Sequence, residues 1–334
     1  MEIGVERLTV RTKRPFAIAR GSSDAFERIV LTLEEGGVAG RGEAAPTSYY
    51  YRGDAAGMVD VLGCIKISDA WDIEGTLDEN DFLPPAALAA LDAAVHDLAA
   101  KRLGIPVYRL LGLSRPEPVS AYTLAIAELE ETVAEAKKLQ RFPILKMKVG
   151  SEEDLETVRA VSEISDAVVW VDANEAFSPK EAPEVARELK YIGAVRLIEQ
   201  PVPSAAGPEA LRGATEAARP LPVVADESAV NAWDVPRLQG CVSGVNVKLA
   251  KCGGIRRALR MIYTARAHGM LVMLGCMVET SLGIAAAAQL TGLVDFVDLD
   301  GAMLLADDPF QGIVYENGHI RLPSEPGLGV EPRG

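Results

Sequence analysis

The chain has 334 residues, and at about 150 residues per domain this length predicts two domains with room for a large buried core. It carries 48 acidic residues against 34 lysines and arginines, a net charge of −14, whereas proteins that bind nucleic-acid backbones carry the opposite sign. Apolar residues make up 49% of the chain and charged residues 25%, which excludes global disorder. We therefore expect a globular protein without a nucleic-acid partner.

The sequence offers no segment for a membrane or for export. No apolar run approaches the roughly 18 residues of a membrane span, and the first residues lack the basic and apolar regions of a signal peptide. We expect no membrane partner and a cytoplasmic location. The four cysteines form no Cys-x-x-Cys pair, and none of the three histidines lies beside a candidate nucleophile. Catalysis must then rest on carboxylates and lysines.

Residues 1–115 have the pattern of an α+β domain. Apolar and β-branched residues alternate or cluster at 3–12 and 28–34, and glycine-rich turns follow the second segment, which is typical of an antiparallel meander. From Pro84 to Leu103, apolar residues recur every three or four positions until Gly104. This spacing predicts a helix that ends at the glycine.

Beyond Pro118, short apolar strands alternate with helical stretches, as in parallel βα units. Eight strands at intervals of about 23 residues predict a compact (β/α) barrel, which we place at residues 116–300. An open doubly wound sheet is the competing architecture, but the Gly-x-Gly-x-x-Gly turn that it often carries is absent. The predicted strands are Val119 to Leu124, Ile144 to Val149, Val168 to Asp172, Val195 to Glu199, Pro222 to Asp226, Gly244 to Leu249, Leu271 to Cys276 and Phe296 to Asp300.

Three carboxylates end three consecutive strands. Asp172, Glu199 and Asp226 are 27 residues apart in each step, one βα unit, so neighbouring strands would present them at one level. Function in such barrels collects at the carboxyl ends of the strands. Three converging carboxylates need a cation, and their hard oxygens suit Mg²⁺ or Mn²⁺. Zinc is disfavoured because no cysteine or histidine accompanies them.

Further charges lie at the same strand ends. Lys146 and Lys148 share one face of their strand, as do Asp298 and Asp300 of the last strand, and Lys248 ends the sixth. Any one of these charges could simply mark the point where a buried strand reaches solvent. The whole set, at matched levels on neighbouring strands, favours one shared cavity.

Several motifs resemble the muconate-lactonizing branch of the enolase superfamily, and the resemblance covers nearly the whole chain. Within that branch, Asp298-x-Asp300-Gly301 and the segment 275–281 resemble dipeptide epimerases, the group that includes L-Ala-D/L-Glu epimerase. The motifs that carry the broader resemblance are Lys146-x-Lys148, Asp172-x-Asn174, Glu199-Gln200-Pro201, Asp226-Glu227-Ser228, Asn246-x-Lys248 and Lys251-Cys252-Gly253-Gly254-Ile255.

The resemblance implies a modified TIM-type (β/α)7β barrel, capped by the N-terminal domain of residues 1–115 and by a returning segment, 301–334. It also implies that Asp172, Glu199 and Asp226 bind Mg²⁺, with Mn²⁺ as a possible substitute. The implied reaction is a two-base 1,1-proton transfer through an enediolate, with Lys148 and Lys248 as the bases. Burial beside Mg²⁺ and a second cation should bring a lysine pKa down towards about 7 to 8.

Substrate-binding roles follow for the remaining residues. Lys146 would contact the substrate carboxylate, although a salt bridge to a metal-binding acid is a serious alternative. Asp298 and Asp300 would hold the free ammonium of a dipeptide. We place three further residues at the substrate, two on the barrel and one on a loop of the N-terminal domain: Thr123, Met277 and Arg20.

The sequence leaves the substrate side chains open. In members of the group that prefer glutamate, an arginine in the first loop pairs with it, but the register places Gly21 there, with Arg20 one residue away. Acidic, cationic and apolar side chains therefore all stay possible. N-acylamino acid racemisation and o-succinylbenzoate synthesis are the alternatives within the superfamily, and a non-catalytic ligand-binding barrel is the alternative outside it. We also expect a homo-oligomer.

Overall fold

The N-terminal part of the chain is an antiparallel sheet packed on helices. The computed structural model describes residues 1–50 and 54–333. The three strands pair in the order β1, β2, β3. Their bounds, and those of the four helices that follow, are β1 Glu2–Ile18, β2 Gly21–Glu35, β3 Val38–Ala44, α1 Ala55–Leu62, α2 Ile73–Glu79, α3 Pro85–Leu103 and α4 Val107–Leu110.

The first hairpin is longer than the sequence pattern indicates, because the far ends of β1 and β2 are largely exposed and lack the apolar alternation that marks a half-buried strand. Its register shifts between Arg11 and Phe16. The irregular arm that results carries residues 16–26 towards the barrel. This arm, which contacts the barrel, is therefore the part of the hairpin that the apolar alternation in the sequence does not predict.

Helix α3 matches the helix predicted from Pro84 to Leu103, and it is buried along most of its length. It ends at Gly104, whose φ of +68° gives the left-handed C-cap that glycine favours. Strand β3 crosses it closely, because a Cβ on Gly40 or Gly42 would overlap the backbone of α3. The sheet and the helix are thus in backbone-to-backbone contact.

Eight parallel strands form the second part, in the order β4 to β11. The ring is brought together at its ends by the hydrogen bond from the Ala121 amide to the Val297 carbonyl, 3.0 Å. The predicted TIM-type barrel is confirmed. The strands are β4 Tyr122–Leu124, β5 Ile144–Lys148, β6 Val168–Asp172, β7 Val195–Glu199, β8 Val223–Ala225, β9 Gly244–Lys248, β10 Leu271–Gly275 and β11 Phe296–Asp298.

All eight strands fall within the predicted segments, but some are shorter. The last strand stops at Asp298 because Asp300 precedes a 3-10 turn, Gly301–Leu304. Below the charged strand ends, the barrel is filled by a small apolar cluster in which Trp170 packs edge-to-face on Phe296, with ring centroids 5.5 Å apart. The helices of the barrel are α5 Leu129–Ala136, α6 Asp154–Ile164, α7 Ala182–Tyr191, α8 Pro208–Ala218, α9 Val235–Leu238, α10 Leu249–Cys252, α11 Ile255–Ala267 and α12 Ser281–Ala288.

The C-terminal segment returns to the first part of the chain. Asp97 of α3 accepts hydrogen bonds from the amides of Arg41 and Leu328, at 2.8 and 2.7 Å. The domain limits of 1–115, 116–300 and 301–334 stay a prediction. None of the helices in the described part of the chain has the length and apolarity to cross a bilayer. The segment forms short paired strands, β12 Phe310–Gln311 with β15 Glu331–Pro332, and β13 Val314–Glu316 with β14 His319–Arg321.

Candidate active site

A cavity of about 410 Å³ lies between the carboxyl ends of the barrel strands and the N-terminal domain. Asp172 and Glu199 lie at its base, both fully buried, where they touch the ammonium of Lys146. The other predicted site residues line the cavity itself: Arg20, Thr123, Lys146, Lys148, Asp226, Lys248, Met277, Asp298 and Asp300. The structure thus brings the sequence-predicted residues to one place.

The carboxylates of Asp172 and Glu199 stand side by side because their residues are paired in the parallel register of β6 and β7. Asp226 follows the end of β8, the next strand. Asp172 receives the ammonium groups of Lys148 and Lys146, at 2.5 and 3.0 Å. Each carboxylate therefore has a cation against it, as a buried charge requires.

Lys146 bridges three carboxylates. Its Nζ lies 2.7 Å from Glu199, 3.0 Å from Asp172 and 2.7 Å from Asp298. Burial opposes its charge, but attraction to Asp172, Asp298 and Glu199 outweighs this and holds the pKa of Lys146 well above its usual value. A salt bridge to Asp172 and Glu199, the alternative contact for this lysine, is therefore present, and direct contact with substrate stays a prediction, as does the binding of a metal by these acids.

The second lysine cluster lies on the opposite side of the barrel. Lys248 reaches Asp226 Oδ2 at 2.8 Å, and Lys251 reaches Asp226 Oδ1 at 2.6 Å. Asn246, on the same strand as Lys248, donates to Glu199 Oε1 at 2.7 Å. Strands β9 and β5 are separated by three strands in the eight-stranded ring, so Lys248 and Lys148 approach the cavity from opposite sides.

The charges shift the ionisation of the carboxylates in different directions. Burial disfavours ionisation of Asp172 and Asp226, but their lysine partners prevail and hold the pKa of each below its usual range. Burial and the neighbouring Asp172 raise the pKa of Glu199. Burial likewise opposes the ammonium of Lys248, yet Asp226 and Glu199 raise its pKa. The lowered lysine pKa that the sequence analysis expects depends on the charge of a divalent cation. Without that charge, the carboxylates have the opposite effect and raise the pKa of Lys248.

The donor set fits Mg²⁺ or Mn²⁺ chemically. In the described residues, no group of three or more His, Cys, Asp and Glu side chains is spaced to hold an ion as it stands. The oxygens of Asp172, Glu199 and Asp226 instead meet lysine ammonium groups. The three buried carboxylates lie at the ends of adjacent strands, and Asp172 opposes the ionisation of Glu199. A divalent cation bound between them would stabilise all three in the ionised form.

Asp298 and Asp300 form a pair of neighbouring carboxylates, which we call the anionic pair. It lies across the ring of strands from Glu199. The amide of Thr123 donates to Asp300 Oδ2 at 2.6 Å, and burial together with Asp298 raises the pKa of Asp300 to about 6. Asp298 Oδ1 is buried and has no hydrogen-bond partner in the described part of the chain. This oxygen is available to a cationic group in the cavity.

Arg20 lines the cavity and is also bound to side chains and backbone at the rim of the barrel. Its guanidinium lies 3.1 Å from Glu175 and 2.8 Å from Glu227, and donates to the carbonyl of Asn174 at 3.1 Å. It also covers the ring of Tyr49, 4.3 Å from the centroid. Sequence reasoning did not anticipate Glu175, which has a φ of +71° and is 155 positions from Arg20.

The loop that carries Met277 is held by the N-terminal domain. Glu43 of β3 accepts hydrogen bonds from the amides of Thr280 and Gly283, at 3.1 and 3.2 Å, and Arg28 of β2 donates to the Val278 carbonyl at 2.6 Å. These contacts join residues more than 230 positions apart, and no local pattern in the sequence marks them. Glu43 and Arg28 are therefore site-shaping residues that sequence reasoning missed.

Acids at the ends of three consecutive barrel strands, with lysines on either side, form an arrangement typical of an enzyme active site. The comparisons with protein families agree with this interpretation. Residues 2–112 match the N-terminal domain of the mandelate racemase / muconate lactonizing enzyme family, and residues 128–334 match the enolase C-terminal domain-like family. The chain belongs to this family of the enolase superfamily.

Individual relatives are similar over their whole length. The L-Ala-D/L-amino acid epimerase of Maribacter sp. is 38% identical over 99% of both chains. The hydrophobic dipeptide epimerase of Roseobacter litoralis is 36% identical over 98% of both. The crystal structure of a dipeptide epimerase from Enterococcus faecalis, complexed with Mg and L-Leu-L-Tyr, superposes with a TM-score of 0.93 at 31% identity, covering 98% of both chains.

Proposed function

We propose that this protein is a Mg²⁺-dependent dipeptide epimerase that inverts the α-carbon of the C-terminal residue of its substrate. The observation that carries the proposal is the combination of two facing lysines, Lys148 and Lys248, with the anionic pair Asp298 and Asp300 in one cavity. The similar dipeptide epimerases, one of them with Mg and a dipeptide bound, support it.

The lysines act on the α-proton. A planar intermediate lying between Lys148 and Lys248 presents one face to each Nζ, so that one lysine removes the proton and the other returns a proton on the far face. Asp172 and Asp226 pair with these lysines, at 2.5 and 2.8 Å, and so fix the position of each Nζ. A divalent cation held by Asp172, Glu199 and Asp226 would supply positive charge where the substrate carboxylate gains negative charge.

The anionic pair favours a dipeptide over an N-acylated amino acid. A dipeptide brings a free ammonium group, which Asp298 Oδ1 can accept, whereas an N-acylated substrate or a succinylbenzoate precursor would leave this buried oxygen unpaired, with Lys146 on the other oxygen as the cation already present. N-acylamino acid racemisation, o-succinylbenzoate synthesis and a non-catalytic barrel are therefore weaker candidates. A non-catalytic role would also give no reason for the two lysines to face one cavity from opposite sides.

Solvent exchange tests the proposal directly. The protein is incubated in D₂O with Mg²⁺ and a panel of dipeptides, and deuterium at the α-carbon is measured by mass spectrometry. We expect exchange and epimerisation with dipeptides, loss of both with EDTA, and recovery on adding Mg²⁺ or Mn²⁺. Exchange with N-succinyl amino acids but with no dipeptide would refute it.

A cytoplasmic location, a homo-oligomeric state and the absence of nucleic-acid and membrane partners remain part of this proposal. The role given to each site residue is likewise part of the proposal. Light scattering of the purified protein measures the oligomeric state, and a monomer at all concentrations would contradict it.

A further inference from the structure

The two walls of the cavity differ in chemistry. The wall contributed by the N-terminal domain and the adjoining loops is mainly apolar, with half-buried side chains from β1 and β2. Four serine and threonine side chains of the N-terminal domain also lie on this wall, and its apolar and aromatic members include Phe16, Ile18, Phe26, Tyr50, Val278 and Leu304.

The cations described on this wall are already bound by protein groups. Arg20 is held between the carboxylates of Glu175 and Glu227, and Tyr49 covers one face of its guanidinium. Glu175 is itself fixed, because its Oε1 accepts from the Ser204 amide at 2.6 Å and its Oε2 from the Tyr49 hydroxyl at 2.5 Å. Arg28 lies 3.6 Å from Glu43 and donates to the Val278 carbonyl.

The substrate side chain must face this wall. This step rests on the proposed function, in which the proton is exchanged along the line between Lys148 and Lys248. The substrate carboxylate then points to the three acids on β6, β7 and β8, and the peptide nitrogen points towards Asp298 and Asp300 of the last strand. The remaining substituent of the α-carbon, its side chain, is left to point out of the barrel mouth towards the N-terminal domain.

We propose that the epimerised residue of the substrate carries an uncharged, apolar side chain, and that Glu175 helps to set this preference by holding Arg20 in place. An acidic side chain would have to compete with Glu175 and Glu227 for Arg20, and a basic one would have to displace Arg20 from them. Either would bring a charge against apolar groups, which costs free energy unless the charge is paired.

The wild-type enzyme tests the preference. Initial rates of α-deuteration in D₂O with Mg²⁺ are measured for L-Ala-L-Leu, L-Ala-L-Phe, L-Ala-L-Glu and L-Ala-L-Lys. We expect kcat/KM for the leucine or phenylalanine dipeptide to exceed both charged ones by at least about tenfold. A preference for glutamate or lysine at this position would overturn the inference and leave the proposed function standing. Absence of exchange with every dipeptide would overturn the proposed function, and this inference with it.

Two variants test the role of Glu175. In Glu175→Gln, the amide retains an oxygen for the Ser204 amide but no longer carries a charge against Arg20, which is then held by Glu227 alone of its two carboxylate partners. The ratio of kcat/KM for L-Ala-L-Glu to that for L-Ala-L-Leu should rise about tenfold. The matched control is Glu188→Gln, which removes an exposed carboxylate that pairs with Arg159 at 2.9 Å on the outside of the barrel, and its ratio should equal that of the wild type.

Arg20→Leu separates this role from direct substrate binding. If Arg20 is occupied by Glu175 and Glu227, its removal does not lower the glutamate-to-leucine ratio. A selective loss of L-Ala-L-Glu activity of tenfold or more in Arg20→Leu, or an unchanged ratio in Glu175→Gln, would overturn the role given to Glu175. Circular dichroism and thermal melting of each variant show whether the fold is retained.

Discussion

The two walls of the cavity are built in different ways: the barrel wall is formed by the strand ends, and the other wall by the N-terminal domain and the adjoining loops. The barrel wall is a ring of charged groups fixed by strand register, with Lys148 beside Asp172 and Asp172 beside Glu199 as direct partners across the sheet. The wall from the N-terminal domain consists of hairpin and loop residues, apolar for the most part, with Arg20 paired to Glu175 and Glu227. In the proposed function, the reaction would therefore depend on the rigid strands, whereas substrate choice would depend on loop segments that can change without disturbing those strands.

The largest expected effect comes from removing a base on the barrel wall. Lys148→Ala and Lys248→Ala should each lower the epimerisation rate by about 10² to 10⁴-fold, because each lysine serves one face of the intermediate. The two variants should differ in stereochemistry: each should still exchange the α-proton of only one configuration, and the configurations should be opposite. Deuterium exchange on L,L- and L,D-dipeptides followed by NMR measures this.

An equal loss of exchange with both configurations in both variants would contradict the two-base assignment. The barrel must remain folded for the comparison, since each substitution leaves a buried carboxylate with one fewer cation. Thermal melting in the presence of Mg²⁺ provides that control.

A smaller effect is expected from the anionic pair. Asp298→Asn removes the charge that would meet the substrate ammonium, and a lost hydrogen bond to a charged group corresponds to about 1.5 to 3 kcal/mol, or roughly ten- to a hundredfold in kcat/KM. The loss should be confined to substrates with a free amino group. Rates with L-Ala-L-Leu and its N-acetyl derivative measure the difference.

Asp295→Asn is the matched control, because Asp295 lies three positions earlier and bonds to the Val272 amide and to Arg266 at the opposite end of the barrel. It should leave the preference for a free amino group unchanged. An equal loss for the dipeptide and its N-acetyl derivative in Asp298→Asn would contradict ammonium binding.

The last expected effect changes stability rather than reaction rate and lies at Glu279, where the loop after β10 meets the N-terminal domain. Burial and the neighbouring Glu43 raise the pKa of Glu279 to about 7. The folded protein therefore holds this proton at pH values where the unfolded chain has released it, so the contribution of this group to stability falls as pH rises from about 4.5 to 7. Glu279→Gln should remove that loss.

The free energy of unfolding of Glu279→Gln, relative to wild type, should increase by about 2 kcal/mol between pH 5 and pH 8. Urea unfolding at both pH values measures it. The control variant Glu188→Gln should change in parallel with wild type. A relative stability of Glu279→Gln that decreases over this range would show that the proton is not held in the folded state.

The sequence predicts the barrel and its charged ring because both depend on local patterns. An apolar strand that ends in Asp172 or Lys248 can be read from a few neighbouring residues, and the strand period then places each charge at the mouth. The position of Arg20 cannot be read in this way. Its partners Glu175 and Glu227 lie on distant loops, and the left-handed backbone at Glu175 has no sequence signature in a residue other than glycine.

The close crossing of β3 over α3 limits how the site can admit a substrate. With Gly40 and Gly42 against the helix backbone, the sheet cannot slide along α3 without steric overlap, so the sheet and helix must move as one body. Glu43, in the same strand, joins that body to the loop after β10. The turn between β1 and β2 is attached to the barrel by the ion pairs of Arg20 with Glu175 and Glu227 and by the hydrogen bond from the Ile126 amide to the Ala17 carbonyl, 3.1 Å. Widening the mouth at this turn would require these contacts to break, whereas the sheet behind it stays fixed to α3.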